Sequence, residues 1–182
     1  MSTALILIDI QNDYFPGGAM EVVGAAAAAE QAARLLTACR LKALPVIHVQ
    51  HIAARAGSTF FLPGTPGAEI HETVRPSQGE PVFQKHFPNS FRETALLEHL
   101  RRNGISRLAV AGMMTHMCID TTIRAASDLG FSCLLAHDAC ATRALAFNGI
   151  QVSAGNVQAS YLAALDGLFA KIVSTDDLIA DL

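Results

Sequence analysis

Hydrophobic residues in this chain fall mainly in short continuous runs rather than in alternation with polar residues. Such runs are typical of strands that are buried on both faces of a parallel sheet. Four runs are clear and two are shorter, namely Ala4–Ile10, Pro45–Val49, Leu108–Gly112 and Cys133–Ala136, then Lys171–Ser174 and Pro81–Gln84. The pattern therefore predicts a parallel sheet assembled from these segments.

Helical patterns separate the predicted strands. The predicted helices span Val22–Leu44, Phe91–Asn103, Thr115–Leu129 and Val152–Phe169. Gly104 and Gly130 follow the second and third of these, and glycine is well suited to the left-handed conformation just after a helix. Because strands and helices alternate, the sequence predicts an α/β fold, an open parallel sheet with helices on both faces.

The segment Ala53–Gly79 breaks this alternation. It contains several glycines and prolines and neither helical nor strand periodicity. Long loops in compact domains commonly cover a functional site. We therefore expect an ordered loop that contributes to substrate specificity.

Composition narrows the class of protein. A chain of 182 residues with 51% hydrophobic and 16% charged residues predicts one folded domain, residues 1–182, rather than a disordered chain. The net charge of −3 and the absence of a basic stripe argue against a nucleic-acid partner. The low charge favours apolar surface buried between subunits, so we expect a homo-oligomer, a dimer or larger.

The cysteines and the N-terminal apolar run indicate in which cellular compartment the protein is expected. Four cysteines without a CxxC pair suit free thiols in a cytoplasmic protein. The run ALILIDI is interpreted as a buried strand rather than a signal peptide. No apolar run approaches the ~20 residues that cross a membrane, so no membrane association is expected.

Three reactive side chains follow predicted strands. Asp9 ends the first run, Lys85 follows Pro81–Gln84, and Cys118 begins the helix after Leu108–Gly112. Ligands of open α/β sheets bind beyond the carboxyl ends of the strands. All three side chains are thus candidates for one crevice.

Cys118 is the most informative of the three. At the start of a helix, the helix dipole and a nearby lysine would lower the pKa of its thiol, and free N–H groups could bind an oxyanion. The alternative is a buried inert cysteine, which is the expectation for Cys39 and Cys133. The alternative for Asp9 is a structural ion pair or a helix cap, and the alternative for Lys85 is a surface lysine.

Other polar and aromatic residues give weaker signals. His48 and His51 are three residues apart at a strand end, but no third ligand follows at a convincing spacing, so no metal site is expected. His116 could be a base or simply a capping or surface histidine. Phe15, Phe60 and Phe61 could line a pocket or belong to the core.

Three stretches carry a resemblance to a known family. LILIDIQNDYF, FQKHFPNSF and VAGMMTHMCIDTTIRAASDLGF resemble the isochorismatase-like cysteine hydrolases, in the same order and over nearly the whole chain. The resemblance implies a three-layer α/β/α fold with a six-stranded parallel sheet. It also implies a catalytic triad of Asp9, Lys85 and Cys118. A cis peptide is implied at Met113–Met114, with the N–H groups of Met114 and Cys118 forming an oxyanion hole.

The resemblance also implies a reaction. A small amide, carbamoyl or ureide substrate would be cleaved at a C–N bond through a thioester on Cys118, without a cofactor. Substrate contacts are expected near Phe15, Phe60 and Phe91. A non-hydrolytic thiol redox or ligand-binding protein on the same fold is the alternative.

Two departures from the family limit what can be carried over. True isochorismatases lack the nucleophilic cysteine, so Cys118 argues against that activity. Metal-dependent nicotinamidases carry an Asp-x-His motif after the second strand, where this chain reads HVQHIAARAG. A metal-free amidase or ureide hydrolase is therefore preferred to a nicotinamidase.

Overall fold

The computed structural model describes residues 2–182. Its strands are β1 (Ser2–Ile8), β2 (Val46–His51), β3 (Val82–Lys85), β4 (Ile105–Met113), β5 (Ser132–Ala141), β6 (Leu145–Phe147), β7 (Ile150–Val152) and β8 (Lys171–Val173). Six of them form a parallel sheet in the order β3-β2-β1-β4-β5-β8. All six predicted strands are confirmed. The antiparallel hairpin β6–β7 was not predicted.

The helices are α1 (Ala25–Leu41), α2 (Leu96–Arg102), α3 (Asp120–Asp128), α4 (Ala154–Leu165) and α5 (Thr175–Asp181). The first four confirm predicted helices, with shorter bounds, and α5 was not predicted. None of the helices within residues 2–182 combines the length and the hydropathy that crossing a membrane requires.

The central strand β1 shows why helices cover both faces of the sheet. Leu5 and Leu7 point into one hydrophobic layer, which includes the buried face of α1 and Leu178 of α5. Ile6 and Ile8 point into the opposite layer, which includes buried residues of α2, α3 and α4. Successive side chains of a strand alternate between faces, so a continuous apolar run fills both layers. The predicted three-layer α/β/α fold is confirmed.

The strand order places the candidate site. The chain passes from β1 outward to β2 and β3, then returns to β4 on the other side of β1. In open α/β sheets, the crevice at such a reversal lies beyond the carboxyl ends of the strands. Here those ends belong to β1 and β4.

The segment between β2 and β3 lies over this end of the sheet and holds two 3₁₀ turns, Pro66–Ala68 and Glu72–Val74. The buried Gln11 side chain ties it to the sheet, because its amide donates to the carbonyl oxygens of His51 at 2.9 Å and Ala68 at 2.7 Å. The Asp13 carboxylate accepts a hydrogen bond from the backbone N–H of Phe61 at 2.5 Å. The loop is thus fixed by buried polar contacts rather than by its own secondary structure.

Candidate active site

The three predicted reactive residues come together at the carboxyl ends of the strands. Asp9 directly follows β1, Lys85 is the last residue of β3, and Cys118 lies between β4 and α3. The Lys85 Nζ atom is 2.7 Å from Asp9 Oδ2, and both side chains are fully buried. The Cys118 Sγ atom and a carboxylate oxygen of Asp9 are within 4.8 Å of each other.

Cys118 lies in the first turn of the predicted helix Thr115–Leu129. That turn, Thr115–Ile119, is π-helical rather than α-helical and leads directly into α3. The carbonyl oxygen of Met114 accepts hydrogen bonds from the N–H groups of Met117 and Ile119 at 3.0 and 3.3 Å, which closes this turn. Single π turns occur often at functional sites.

The Lys85 ammonium is held by several acceptors. Besides Asp9, it donates to the carbonyl oxygens of Phe87 at 3.1 Å and Pro88 at 3.3 Å, and it lies 3.4 Å from His51 Nδ1. Burial opposes its positive charge, but the Asp9 carboxylate and the Cys118 thiolate favour that charge and raise the pKa of Lys85. The lysine therefore stays protonated and serves as a fixed cation.

The thiol of Cys118 behaves differently from the expectation. Burial, reinforced by the Asp9 carboxylate, raises its pKa, and Lys85 only partly offsets this. The expected net lowering of the pKa was wrong because the thiol is 5% exposed and has an anion beside it. The resting group is a neutral thiol, which needs a base before it can act as a nucleophile.

Burial also raises the pKa of the other thiols, to about 11 for Cys39 and about 12 for Cys133 and Cys140. No acid–lysine pair contributes to those shifts, whereas Asp9 and Lys85 both act on Cys118. The environment of Cys118 is thus chemically distinct from that of a merely buried cysteine.

Asp9 has few partners for a buried carboxylate. Its Oδ2 is paired with the Lys85 ammonium at 2.7 Å, and among residues 2–182 no hydrogen-bond partner is found for Oδ1. Its backbone φ is 52°, in the left-handed region that non-glycine residues rarely adopt. Strain and incomplete hydrogen bonding of this kind are common at functional sites.

The backbone before Cys118 carries a further special feature. The peptide bond between Met113 and Met114 is cis, at the position that the family resemblance implies. Both methionines are buried. The assignment of the Met114 and Cys118 N–H groups to an oxyanion hole stays a prediction.

His51 belongs to the same cluster, although its spacing to His48 suggested only a weak metal signal. It ends β2, pairs in register with Lys85, and has a ring nitrogen within 4.8 Å of both Asp9 and Cys118. Burial lowers the pKa of its imidazole, so the ring is neutral at pH 7. The lateral order of the strands, which the sequence does not state, brings it here.

His48 and His116, the other two histidines considered from the sequence, have different partners. His48 is bonded through Nε2 to Glu80 at 3.0 Å, so it does not share a site with His51. His116 Nδ1 is bonded to the Thr142 hydroxyl at 2.5 Å. Neither belongs to the cluster of Asp9, His51 and Cys118.

Aromatic side chains extend the cluster from His51. Phe61 packs 5.8 Å from the His51 ring and 4.6 Å from Tyr14, and Phe60 packs 5.0 Å from Phe61. Burial, followed by the charges of Cys118 and Asp9, raises the pKa of Tyr14, which is therefore a neutral phenol. Tyr14 was not singled out from the sequence, because aromatic residues after a strand are usually core residues.

The remaining predicted substrate contacts stay predictions. Phe15 is buried and stacks on His71 with ring centroids 3.6 Å apart. Phe91 stacks on Phe131 at 6.1 Å. Of the three predicted aromatic contacts, Phe60 is the one that joins the aromatic group next to His51.

The chain is similar in sequence and in structure to isochorismatase-family proteins. The family model described as the isochorismatase domain matches residues 3–177. The isochorismatase family protein YddQ of Bacillus subtilis is 47% identical over 176 residues, 97% of this chain and 98% of that protein. A crystal structure of an isochorismatase hydrolase from Oleispira antarctica has 50% identity and a TM-score of 0.94, covering 98% of this chain and 96% of the other.

Relatives named for an activity are more distant. The streptothricin hydrolase of Streptomyces noursei is 36% identical, over 76% of this chain but only 49% of that protein. The maleamate amidohydrolase of Pseudomonas putida is 30% identical, over 77% of this chain and 72% of the relative. The structure of a cysteine hydrolase from Pseudomonas syringae has 26% identity and a TM-score of 0.92, covering 98% and 91% of the two chains.

Proposed function

Because this chain belongs to the isochorismatase family, we propose that it is a cysteine-dependent hydrolase that cleaves a C–N bond of a small amide, carbamoyl or ureide substrate. The observation that carries this proposal is the buried Asp9–Lys85 contact of 2.7 Å beside the Cys118 thiol. An uncompensated ion at this depth would cost several kcal/mol, and the Lys85 ammonium offsets that cost for the Asp9 carboxylate, which is the proposed base.

In the first half of the reaction, Asp9 takes the proton of Cys118 and the thiolate attacks the substrate carbonyl carbon. The charge that develops on the carbonyl oxygen is stabilised by the N–H groups of Met114 and Cys118. Asp9 then returns the proton to the leaving nitrogen, the C–N bond breaks, and a thioester on Cys118 remains.

In the second half, a water molecule attacks the thioester with Asp9 as general base. The bond to sulfur breaks, the acid product leaves, and Cys118 recovers its proton. Lys85 stays protonated throughout and orients the Asp9 carboxylate. Its charge also partly offsets the effect of Asp9 on the thiol.

The substrate class rests on the relatives and on the walls of the site. Two of the relatives are named as a hydrolase and an amidohydrolase, and a structural neighbour is named as a cysteine hydrolase. Tyr14, Phe60 and Phe61 pack together beside His51; Tyr14 and Phe61 are buried, and Phe60 is partly exposed. A compact substrate whose planar or apolar end contacts Phe60 suits this arrangement.

A thiol redox role for the same site is less well supported. Redox-sensor cysteines are exposed and have a lowered pKa, because the thiolate is the form that is oxidised. Cys118 is buried and its pKa is raised. A thiol of this kind becomes nucleophilic only when a base acts on it, as in the proposed reaction.

A substrate screen with a matched variant tests the proposal. Wild-type protein and Cys118→Ala are compared on small amides, carbamoyl compounds and ureides, with release of ammonia or amine as the readout. We expect turnover by the wild-type protein alone, with circular dichroism showing that the variant is folded. A Cys118→Ala protein that keeps half of the wild-type rate would rule out the proposed nucleophile.

A further inference from the structure

We infer that Asp9, His51 and Cys118 form a binding site for Zn²⁺ or a similar thiophilic divalent cation, which inhibits the protein by occupying its nucleophile. One ligand atom from each residue, a carboxylate oxygen, an imidazole nitrogen and the thiol sulfur, lies within 4.8 Å of the others. No local motif predicts this set, because its members lie on three separated parts of the chain.

The donor set suits zinc in particular. Zinc binds cysteine sulfur, histidine nitrogen and carboxylate oxygen at about 2.0–2.3 Å, with tetrahedral ligands roughly 3.5 Å apart. Side-chain movements of about 1 Å would bring the three atoms to that spacing. Three protein ligands with an open fourth position are typical of sites that also bind water or a small ligand.

The buried carboxylate is the second, independent observation. Asp9 is fully buried, and within residues 2–182 its Oδ1 has no hydrogen-bond partner. Lys85 contacts Oδ2, so Oδ1 is the oxygen available for a metal ion. A polar atom without a partner at this depth gains stability from an added cation.

Binding requires one proton transfer. The Cys118 Sγ–H bond breaks, the proton leaves to solvent, and a metal–sulfur bond forms without any change of oxidation state. His51 binds through a neutral ring nitrogen, which it has available at pH 7. The metal-bound thiolate can no longer attack a carbonyl group, which is why the metal would inhibit. The metal site is inferred from geometry alone, whereas the inhibition rests on the proposed function, in which Cys118 is the nucleophile.

Lys85 gives the inference a specific signature. Its ammonium lies 2.7 Å from Asp9 Oδ2 and 3.4 Å from His51 Nδ1, so it repels a cation bound by these residues. Lys85→Met removes that repulsion and leaves the three ligands in place. This variant should lose amide turnover and yet bind Zn²⁺ more tightly, by at least about tenfold.

Cobalt provides a direct readout of the ligands. Chelator-treated full-length protein is titrated with Co²⁺ and its absorption is recorded. We expect one equivalent to give a thiolate-to-cobalt band in the near ultraviolet and visible bands of a tetrahedral site, both removed by Zn²⁺. Cys118→Ala should lose the thiolate band and His51→Ala should bind more weakly, whereas Cys140→Ala and His86→Ala should match the wild type.

Every result of these titrations either supports or overturns the proposed metal site. Absence of the thiolate band in wild type, or its persistence in a folded Cys118→Ala protein, would overturn it. If Cys118→Ala does not fold, His51→Ala decides, since unchanged affinity there would also overturn it. Cobalt ligation without inhibition of amide turnover would leave the metal site standing and would instead refute Cys118 as nucleophile. Inhibition without the band would refute the metal site alone.

Discussion

Asp9 and Lys85 act on Cys118 in opposite directions, and this opposition defines the site at the scale of residues. The carboxylate raises the pKa of the thiol, the ammonium lowers it, and burial decides the net direction. The sequence indicated the three residues because each follows a strand. It could not indicate that Cys118 is deeply buried, since its burial depends on how β4, α3 and α4 pack against the turn Thr115–Ile119.

The first prediction concerns the reactivity of the thiol toward an alkylating reagent. Removal of the anion in Asp9→Asn should lower the pKa of Cys118, so alkylation at neutral pH should speed up. Removal of the cation in Lys85→Ala should raise the pKa further, so alkylation should slow. Alkylation rates measured against pH in the wild type and both variants provide the test.

In wild type, alkylation should rise with pH only well above the range of an ordinary thiol, because the pKa is raised. Shifts of the same sign in the two variants would contradict opposed charges at the thiol. Cys140→Ala is a suitable control, since neither Asp9 nor Lys85 is among the groups that shift the pKa of this buried thiol.

The turnover rate tests Asp9 separately. Asp9→Asn keeps the shape of the side chain but removes the base, so kcat should fall by roughly 10²–10⁴. The measurement is steady-state kinetics on a substrate from the amide screen. A near-normal kcat together with lowered thermal stability would mean that Asp9 is only half of a structural ion pair.

At the scale of elements, the loop between β2 and β3 depends on contacts that the sequence barely signals. Its glycines and prolines predicted an ordered loop, but its anchors Gln11 and Asp13 lie just after β1. Asp13 accepts from the N–H of Phe61, which sets the aromatic residues next to His51. Long-range side-chain contacts to backbone have no periodicity, so sequence patterns do not show them.

Gly67 offers a test of this anchoring. A Cβ atom at Gly67 would overlap the Asp13 carboxylate, so Gly67→Ala should displace the loop and weaken the aromatic wall. We expect kcat/KM to fall roughly tenfold or more because substrate positioning suffers. The alkylation rate of Cys118 should change much less.

The control for this prediction is Gly155→Ala, since a Cβ there meets nothing within 4 Å. It should leave kcat/KM unchanged and should not lower thermal stability. Unaltered kinetics in Gly67→Ala would show that the anchored loop does not shape the substrate site.

At the scale of the whole molecule, the sheet was predictable and the surface was not. Continuous apolar runs identified the central strands, which are buried on both faces, whereas the edge strands β3 and β8 are partly exposed and have only short runs. The hairpin β6–β7 escaped notice because its strands are short, although Asn148 and Gly149 at its turn have φ values of 47° and 79°, as a type I′ turn requires.

This hairpin supports the proposal that the protein is a homo-oligomer. Phe147 and Ile150 are paired in register and remain 82% and 66% exposed. Apolar side chains displayed together in this way suit burial against a second copy of the chain. We predict a dimer or larger in sedimentation at micromolar concentration, shifted toward single chains by a Phe147→Ser, Ile150→Ser double variant.

Leu168→Ser is the matched control, because Leu168 lies outside the hairpin and is 75% exposed. It should leave the sedimentation profile unchanged. Wild-type protein that sediments only as single chains would contradict the proposed assembly.

Mass spectrometry of the protein during turnover tests the central claim most directly. Protein mixed with a slow amide or carbamoyl substrate is quenched in acid, and its intact mass and peptides are measured. The proposed reaction predicts an added acyl mass on the peptide that carries Cys118, and its absence from Cys118→Ala. Turnover that proceeds with no acyl mass on Cys118 and persists in Cys118→Ala would contradict the thioester pathway.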